Sequence, residues 1–160
     1  MFAVPANTIA STSVAPTVHP ALIARAYAAD RSRWAHLLRY DPDERFAALV
    51  DNTDGQEIWL MSWLPGQETD RHDHGDATGA FTVVSGTLTE HVLHRGTTLA
   101  LTPGQSRVFG PGYAHHVRNA GPDPAVSLHV YRAARTMRAV SHWLAPQAPL
   151  TEARPVDLAG

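Results

Sequence analysis

The chemistry of this chain collects around histidine. Ten of its 160 residues are histidine and none is cysteine. Metal donors and proton carriers must therefore be imidazoles, carboxylates and hydroxyls, because thiolates are excluded outright. In "TDRHDHGDATG" two imidazoles, His72 and His74, stand two apart. Strand side chains alternate between faces, so both point the same way. Two neutral imidazoles on one face begin a site for iron, zinc, copper or nickel. A second set lies in "AVSLHVYR", where Ser127, His129 and Tyr131 occupy alternate positions. Hydroxyl, imidazole and phenol then share one strand face, while Val126, Leu128 and Val130 take the other. Such a line can carry a hydrogen-bond relay whose phenol end reaches toward a metal.

These side chains need strands to aim them. From about Arg45 onward, short segments rich in β-branched and aromatic residues recur between Gly, Pro, Asn and Asp: "EIWLMSWL", "GAFTVVSG", "TLTEHVLH", "TTLALTPG", "QSRVFGPG", "HHVRNAG" and "AVSLHVYR". Strands of that length and spacing predict an antiparallel barrel or sandwich. Ser85-Gly86 reads as a hairpin turn between two of them. Ahead of the strands, residues 17–40 read as helical. Leu22, Ile23, Ala26, Tyr27, Trp34, Leu37 and Leu38 recur at three-to-four spacing, Thr17 or His19-Pro20 forms the start, and a break is expected at Asp30-Arg31-Ser32. Residues 1–16 read as a flexible arm and 136–160, rich in Pro and Ala, as a surface-packed tail around one domain spanning 17–135. His91 and His94, three apart, face opposite ways and are expected at the surface, as are His19, His36 and His142.

Composition narrows the classes of function. With 13 Lys and Arg against 15 Asp and Glu the formal charge is −2, and neither sign dominates a long segment. Nucleic acid and membrane surfaces are therefore not expected partners. No window holds 18 consecutive apolar residues, and the first twenty residues lack the basic start and apolar run of a secretory leader. Absence of cysteine agrees with a reducing, cytoplasmic location, and a monomer is expected.

Spacing then identifies a family resemblance. Gly66, His72, His74, Gly79 and Gly86 are spaced like the first motif of the cupin superfamily, with Gly79 where a glutamate is usual. Gly104, Gly110, Gly112, His115 and Asn119 are spaced like the second, with Gly110 where a proline is usual and Pro111 one position later. The resemblance implies a mainly β fold, a cupin (double-stranded β-helix, or jelly-roll) barrel behind short N-terminal helices. It also selects His115 as third ligand. Adjacent strand residues face opposite sides, so His116 is then expected outside. Three neutral histidines leave the full charge of a bound Fe2+ uncancelled and three positions open, which favours an anionic ligand such as a thiolate. Zinc also tolerates such a set.

The combination of HDHG-x-x-x-G, PGY-x-H-x-V-x-N and S-x-H-x-Y resembles bacterial cysteine dioxygenase, a thiol dioxygenase of the cupin fold. That resemblance implies Fe(II) on His72, His74 and His115, with L-cysteine and O2 as reactants. It implies catalytic roles for Tyr131, His129 and Ser127, the phenol standing beside bound substrate and O2. Other members carry, at the position of Gly79, a cysteine crosslinked to the tyrosine, a bond this cysteine-free chain cannot make. Substrate carboxylate in the family pairs with an arginine, for which Arg45 in "DPDERFAALV" is the candidate here, and relatives acting on 3-mercaptopropionate tend to have glutamine there. Trp63 matches a tryptophan common in the family and is expected in the core. Two alternatives stand beside cysteine oxidation: a dioxygenase for another small thiol such as 3-mercaptopropionate, and a cupin that binds a metal or ligand without turnover.

Overall fold

The computed structural model describes residues 18–132, 137–139 and 153–154. One helix, α1 (Pro20–Ala29), precedes two short 3-10 turns at Arg31–Arg33 and Ala35–Leu37. His19-Pro20 is the start: Pro20 opens the helix and His19 Nδ1 accepts from the Ala21 amide at 3.2 Å. The break falls at Asp30, whose carboxylate takes the Ser32 hydroxyl and Arg33 Nε instead of continuing the helix. The buried stripe differs from expectation. Pro20, Ala24 and Tyr27 face the protein, whereas Leu22 and Ala26 face solvent. Small Ala24 lets the helix backbone approach the sheet beneath it, which a leucine stripe would prevent.

Strands follow as β1 (Phe46–Thr53), β2 (Gln56–Trp63), β3 (His72–Asp73), β4 (Thr78–Ser85), β5 (Leu88–Val92), β6 (Thr97–Leu101), β7 (Ser106–Phe109), β8 (His115–Arg118), β9 (Ala125–Arg132), β10 (Met137–Ala139) and β11 (Ala153–Arg154). They form a five-stranded sheet in the order β1-β2-β9-β4-β7 and a six-stranded sheet in the order β11-β10-β3-β8-β5-β6. All pairings are antiparallel. Two features escaped the periodicity reading. One is β1 itself, which turns into β2 through Asp54-Gly55. The other is 137–139, which pairs with β3 and so joins the sheet. Residues 1–16 and His142 lie outside the described residues. Among the described residues, no helix is long and apolar enough to cross a membrane.

The hairpin expected at Ser85-Gly86 does not form. β4 is flanked by β9 and β7, so both its edges are taken, and β5 pairs instead with β6 and β8 in the other sheet. Gly86 is the corner between sheets. Its φ is +71°, and a Cβ there would stand 2.4 Å from the Pro124 carbonyl oxygen, so both conformation and space require glycine.

Two apolar clusters explain why the central strands are buried on both faces. Ile58, Leu60, Val126, Leu128 and Val130 pack outward against Ala24, Tyr27 and Trp34 of the helical segment. Met61, Trp63, Phe81, Val83, Leu88, Phe109 and Val117 fill the space between the sheets. β9 lies between β2 and β4. Its valines and leucine therefore meet the helical layer, while Ser127, His129 and Tyr131 enter the barrel.

Candidate metal centre

β3 and β8 meet at one pair, His72 opposite His115. His74, one residue beyond β3, reaches the same space from a turn in which the Gly75 amide donates to Asp73 Oδ1 at 2.8 Å. The ring centroids of the three histidines are 4.7–5.4 Å apart, and all three side chains are buried. Their ligand atoms lie within 4.8 Å of one another. His116, next along β8, sits on the outer face with Nε2 3.1 Å from the exposed carboxylate of Glu68. His91 pairs with Thr98 and His94 with the Gly112 carbonyl, both away from the cluster.

Hydrogen bonding decides how the rings present themselves. His72 Nδ1 lies 2.6 Å from the Asp70 carbonyl oxygen, so it carries the proton and donates. His115 Nδ1 lies 2.9 Å from Glu90 Oε1 and donates likewise. Each ring therefore turns an Nε2 lone pair inward. Burial, and then the neighbouring His115, drives the pKa of His72 well below the ordinary imidazole value, which keeps the ligating neutral form. His115 Nε2 stands 3.3 Å from His74 Nε2. Two donors bonded to one ion at about 2.1 Å can be no more than about 4.2 Å apart, so this pair fits a shared cation. An all-imidazole set suits iron or zinc and leaves the ion's charge for an incoming anion.

Behind His115 stands a network that the sequence reading missed. Glu90 is fully buried, and its carboxylate accepts from His115, from Arg107 Nε at 2.6 Å and from the Tyr113 hydroxyl at 3.1 Å. Burial alone would raise the pKa of Glu90, but the His115 and Arg107 donors outweigh it and hold it below the usual value. A charged carboxylate there fixes the His115 tautomer and the orientation of its ring. A signal was available in "LTEHV": Glu90 alternates with Leu88 and Val92, which puts a carboxylate on an apolar inward face.

The polar line on β9 is continuous. Ser127 Oγ lies 2.7 Å from His129 Nε2, and His129 Nδ1 lies 3.4 Å from the Tyr131 hydroxyl. The Tyr131 ring packs 4.9 Å from that of His74. Arg45, just ahead of β1, enters the same cavity half-buried, its guanidinium 4.9 Å over the Trp63 ring and Nη1 2.8 Å from Met61 Sδ. Burial lowers its pKa, with Tyr131 and Asp70 opposing. Among the described residues, no carboxylate comes within 4.0 Å of this guanidinium. Trp63 is in the core, and also touches the site: its indole N–H donates to Ser127 Oγ at 2.9 Å.

Gly79 lies opposite Tyr131 on one side and Phe109 on the other. A Cβ at this position would stand 2.0 Å from the Val130 carbonyl oxygen and 2.7 Å from Phe109 Cζ. The Phe109 ring packs there instead, 5.0 Å from the ring of His74 and 5.7 Å from that of Tyr131. Gly79→Ala should therefore destabilise the fold by more than about 2 kcal/mol, since backbone and not a flexible side chain must yield. Urea unfolding of the metal-free protein checks this; a loss under about 0.5 kcal/mol, that of a surface change, would refute the steric account.

Residues 18–141 match the family model described as cysteine dioxygenase type I. The fold is similar to that of TT1209 from Thermus thermophilus, with 26% identity and a TM-score of 0.57 over 62% of this chain and 92% of that one. It is also similar to an uncharacterized conserved protein with a double-stranded β-helix domain from Klebsiella pneumoniae, with 25% identity and a TM-score of 0.59 over 67% and 94%. A cupin superfamily protein from Desulfitobacterium hafniense shares the fold at 14% identity, with a TM-score of 0.53 over 64% and 89%.

Proposed function

The chain belongs to the cysteine dioxygenase type I family, and from that premise we propose that it oxidises L-cysteine to cysteine sulfinic acid at an Fe(II) ion held by His72, His74 and His115. The coarser reading, a thiol dioxygenase of the cupin fold, rests on the family and on the three-histidine cluster. The finer one is carried by Arg45. A guanidinium in the cavity with no carboxylate partner among the described residues is suited to a substrate carboxylate, which its planar fork can take with two parallel hydrogen bonds.

Iron(II), when bound, supplies the electron transfer that lets O2 combine with a thiolate. The reaction balances without a further reductant: the thiol and one O2 give the sulfinic acid, with both oxygen atoms on sulfur. The chain's own residues do the rest. Arg45 holds the carboxylate and so sets where the sulfur lies. Tyr131, oriented through His129 and Ser127, presents its phenol to the reacting atoms. Met61 and Val117 line the cavity with Trp63 and exclude water around it.

Oxygen uptake by the Fe(II)-loaded protein tests the reading. L-Cysteine should be turned over faster than 3-mercaptopropionate, with cysteine sulfinic acid as product. The opposite order would assign the enzyme to the other thiol, and no uptake with any small thiol would leave a non-catalytic metal-binding cupin.

A further inference from the structure

Ser127 is fully buried, and among the described residues its Oγ has two hydrogen-bond partners, Trp63 Nε1 at 2.9 Å and His129 Nε2 at 2.7 Å. An indole N–H donates and never accepts. The Ser127 proton therefore cannot go to Trp63, and a buried hydroxyl does not leave its proton unbonded. It must go to His129 Nε2, which then carries a lone pair. The neutral ring holds its proton on Nδ1, the atom facing the Tyr131 oxygen at 3.4 Å. That N–H donates to the phenol oxygen, so the phenol's own proton turns away from His129. The side it turns to is the cavity that Tyr131 shares with Arg45 and the three histidines.

We infer that Trp63 is a positioning residue: its donor-only N–H sets the direction of the Ser127–His129–Tyr131 chain and turns the Tyr131 proton into the metal cavity. Without that donor, Ser127 could equally accept from His129 Nε2–H, and His129 Nδ1 would then draw the phenol proton toward itself. Trp63 is built to hold still. It is fully buried, its backbone carbonyl accepts from Asn119 Nδ2 at 2.9 Å, and the opposite demand on the residue, support of Arg45, is met by the ring face rather than the N–H. His129 is likewise held flat by Phe81, stacked at 5.0 Å and 13°. The tautomer follows from the Trp63, Ser127 and His129 hydrogen bonds; only the use of the phenol proton rests on the thiol dioxygenase reading.

The experiment is a two-bond 1H–15N correlation spectrum of metal-free, 15N-histidine-labelled protein, with His129→Gln used to assign the His129 ring. The wild-type ring should be the Nδ1–H tautomer; a proton on Nε2 overturns the inference. Both Trp63→Phe and Ser127→Ala should shift the population toward Nε2–H, and Trp63→Phe should add nothing on a Ser127→Ala background. An unchanged tautomer in either single variant, or an equal further shift in the double variant, removes Trp63 from this role, since packing loss alone would act in both backgrounds. Trp63→Phe should lower kcat about tenfold with KM within about twofold, because phenylalanine keeps a ring under Arg45, whereas Trp63→Leu should also raise KM. If the tautomers behave so but wild type takes up no O2 with cysteine, the substrate reading fails and the relay direction stands.

Discussion

His115→Ala should hold no iron after dialysis and show no O2 uptake with cysteine, while His116→Ala should keep iron content and rate within about twofold of wild type. The two residues are neighbours in sequence, and strand geometry alone separates them. His115 is buried, faces His72 across the β3–β8 pair and turns Nε2 toward His74. His116 faces outward to an exposed glutamate, an ion pair of small energetic weight. With no carboxylate in the donor set, removing His115 leaves two imidazoles, too few to hold a divalent iron against dialysis. It also leaves the buried Glu90 without one of its donors, so the loss should extend beyond the missing ligand. Metal analysis and an oxygen electrode read both effects. Equal loss in the two variants would show that the assignment of faces, and with it the proposed ligand set, is wrong.

Arg45→Gln should raise the KM for L-cysteine by about 10–150-fold, the equivalent of ~1.5–3 kcal/mol for a lost charge-assisted bond. kcat should change far less, because the clamp binds substrate before and during reaction alike. Cysteamine, which keeps thiol and amine but lacks the carboxylate, should show nearly the same KM with both proteins. That contrast isolates the carboxylate. The guanidinium lies against the Trp63 face and Met61 Sδ, so glutamine also removes a packed cation, and a general loss of packing would raise KM for both thiols together. If cysteine and cysteamine suffer equally, Arg45 supports the cavity wall and the carboxylate is held elsewhere.

Much of the site was legible because strands impose a period of two. The valines and leucine of "AVSLHVYR" alternate with Ser127, His129 and Tyr131, and the structure puts the first set against the helical layer and the second in the barrel. The same rule separates His115 from His116. Motif spacing supplied the fold family and the third histidine, since it measures the loop lengths that a barrel of this kind requires. It failed at Ser85-Gly86 because a glycine turn looks alike whether the chain doubles back or crosses to the opposite sheet. It passed over Glu90 because motif spacing follows the histidines and glycines, although the alternation of Glu90 with Leu88 and Val92 marks its face as the covered one.

The sequence by itself determined the chemical inventory: a cysteine-free, mainly β chain, two histidines two positions apart and an alternating polar line on one strand, because residue type and local period need no partner to be read. Only the tertiary structure decided what those groups are worth. It put a buried carboxylate behind His115, a cation with no carboxylate partner among the described residues beside the cavity, and the Trp63 indole against Ser127, 64 positions later in the chain. Proton direction, tautomer and charge compensation depend on pairs joined across sheets, and those distances exist only once the barrel has closed. Gly79 shows the division in one residue. Composition rules out a crosslinking cysteine there, but only packing shows that no side chain fits beside the Val130 carbonyl and the Phe109 ring.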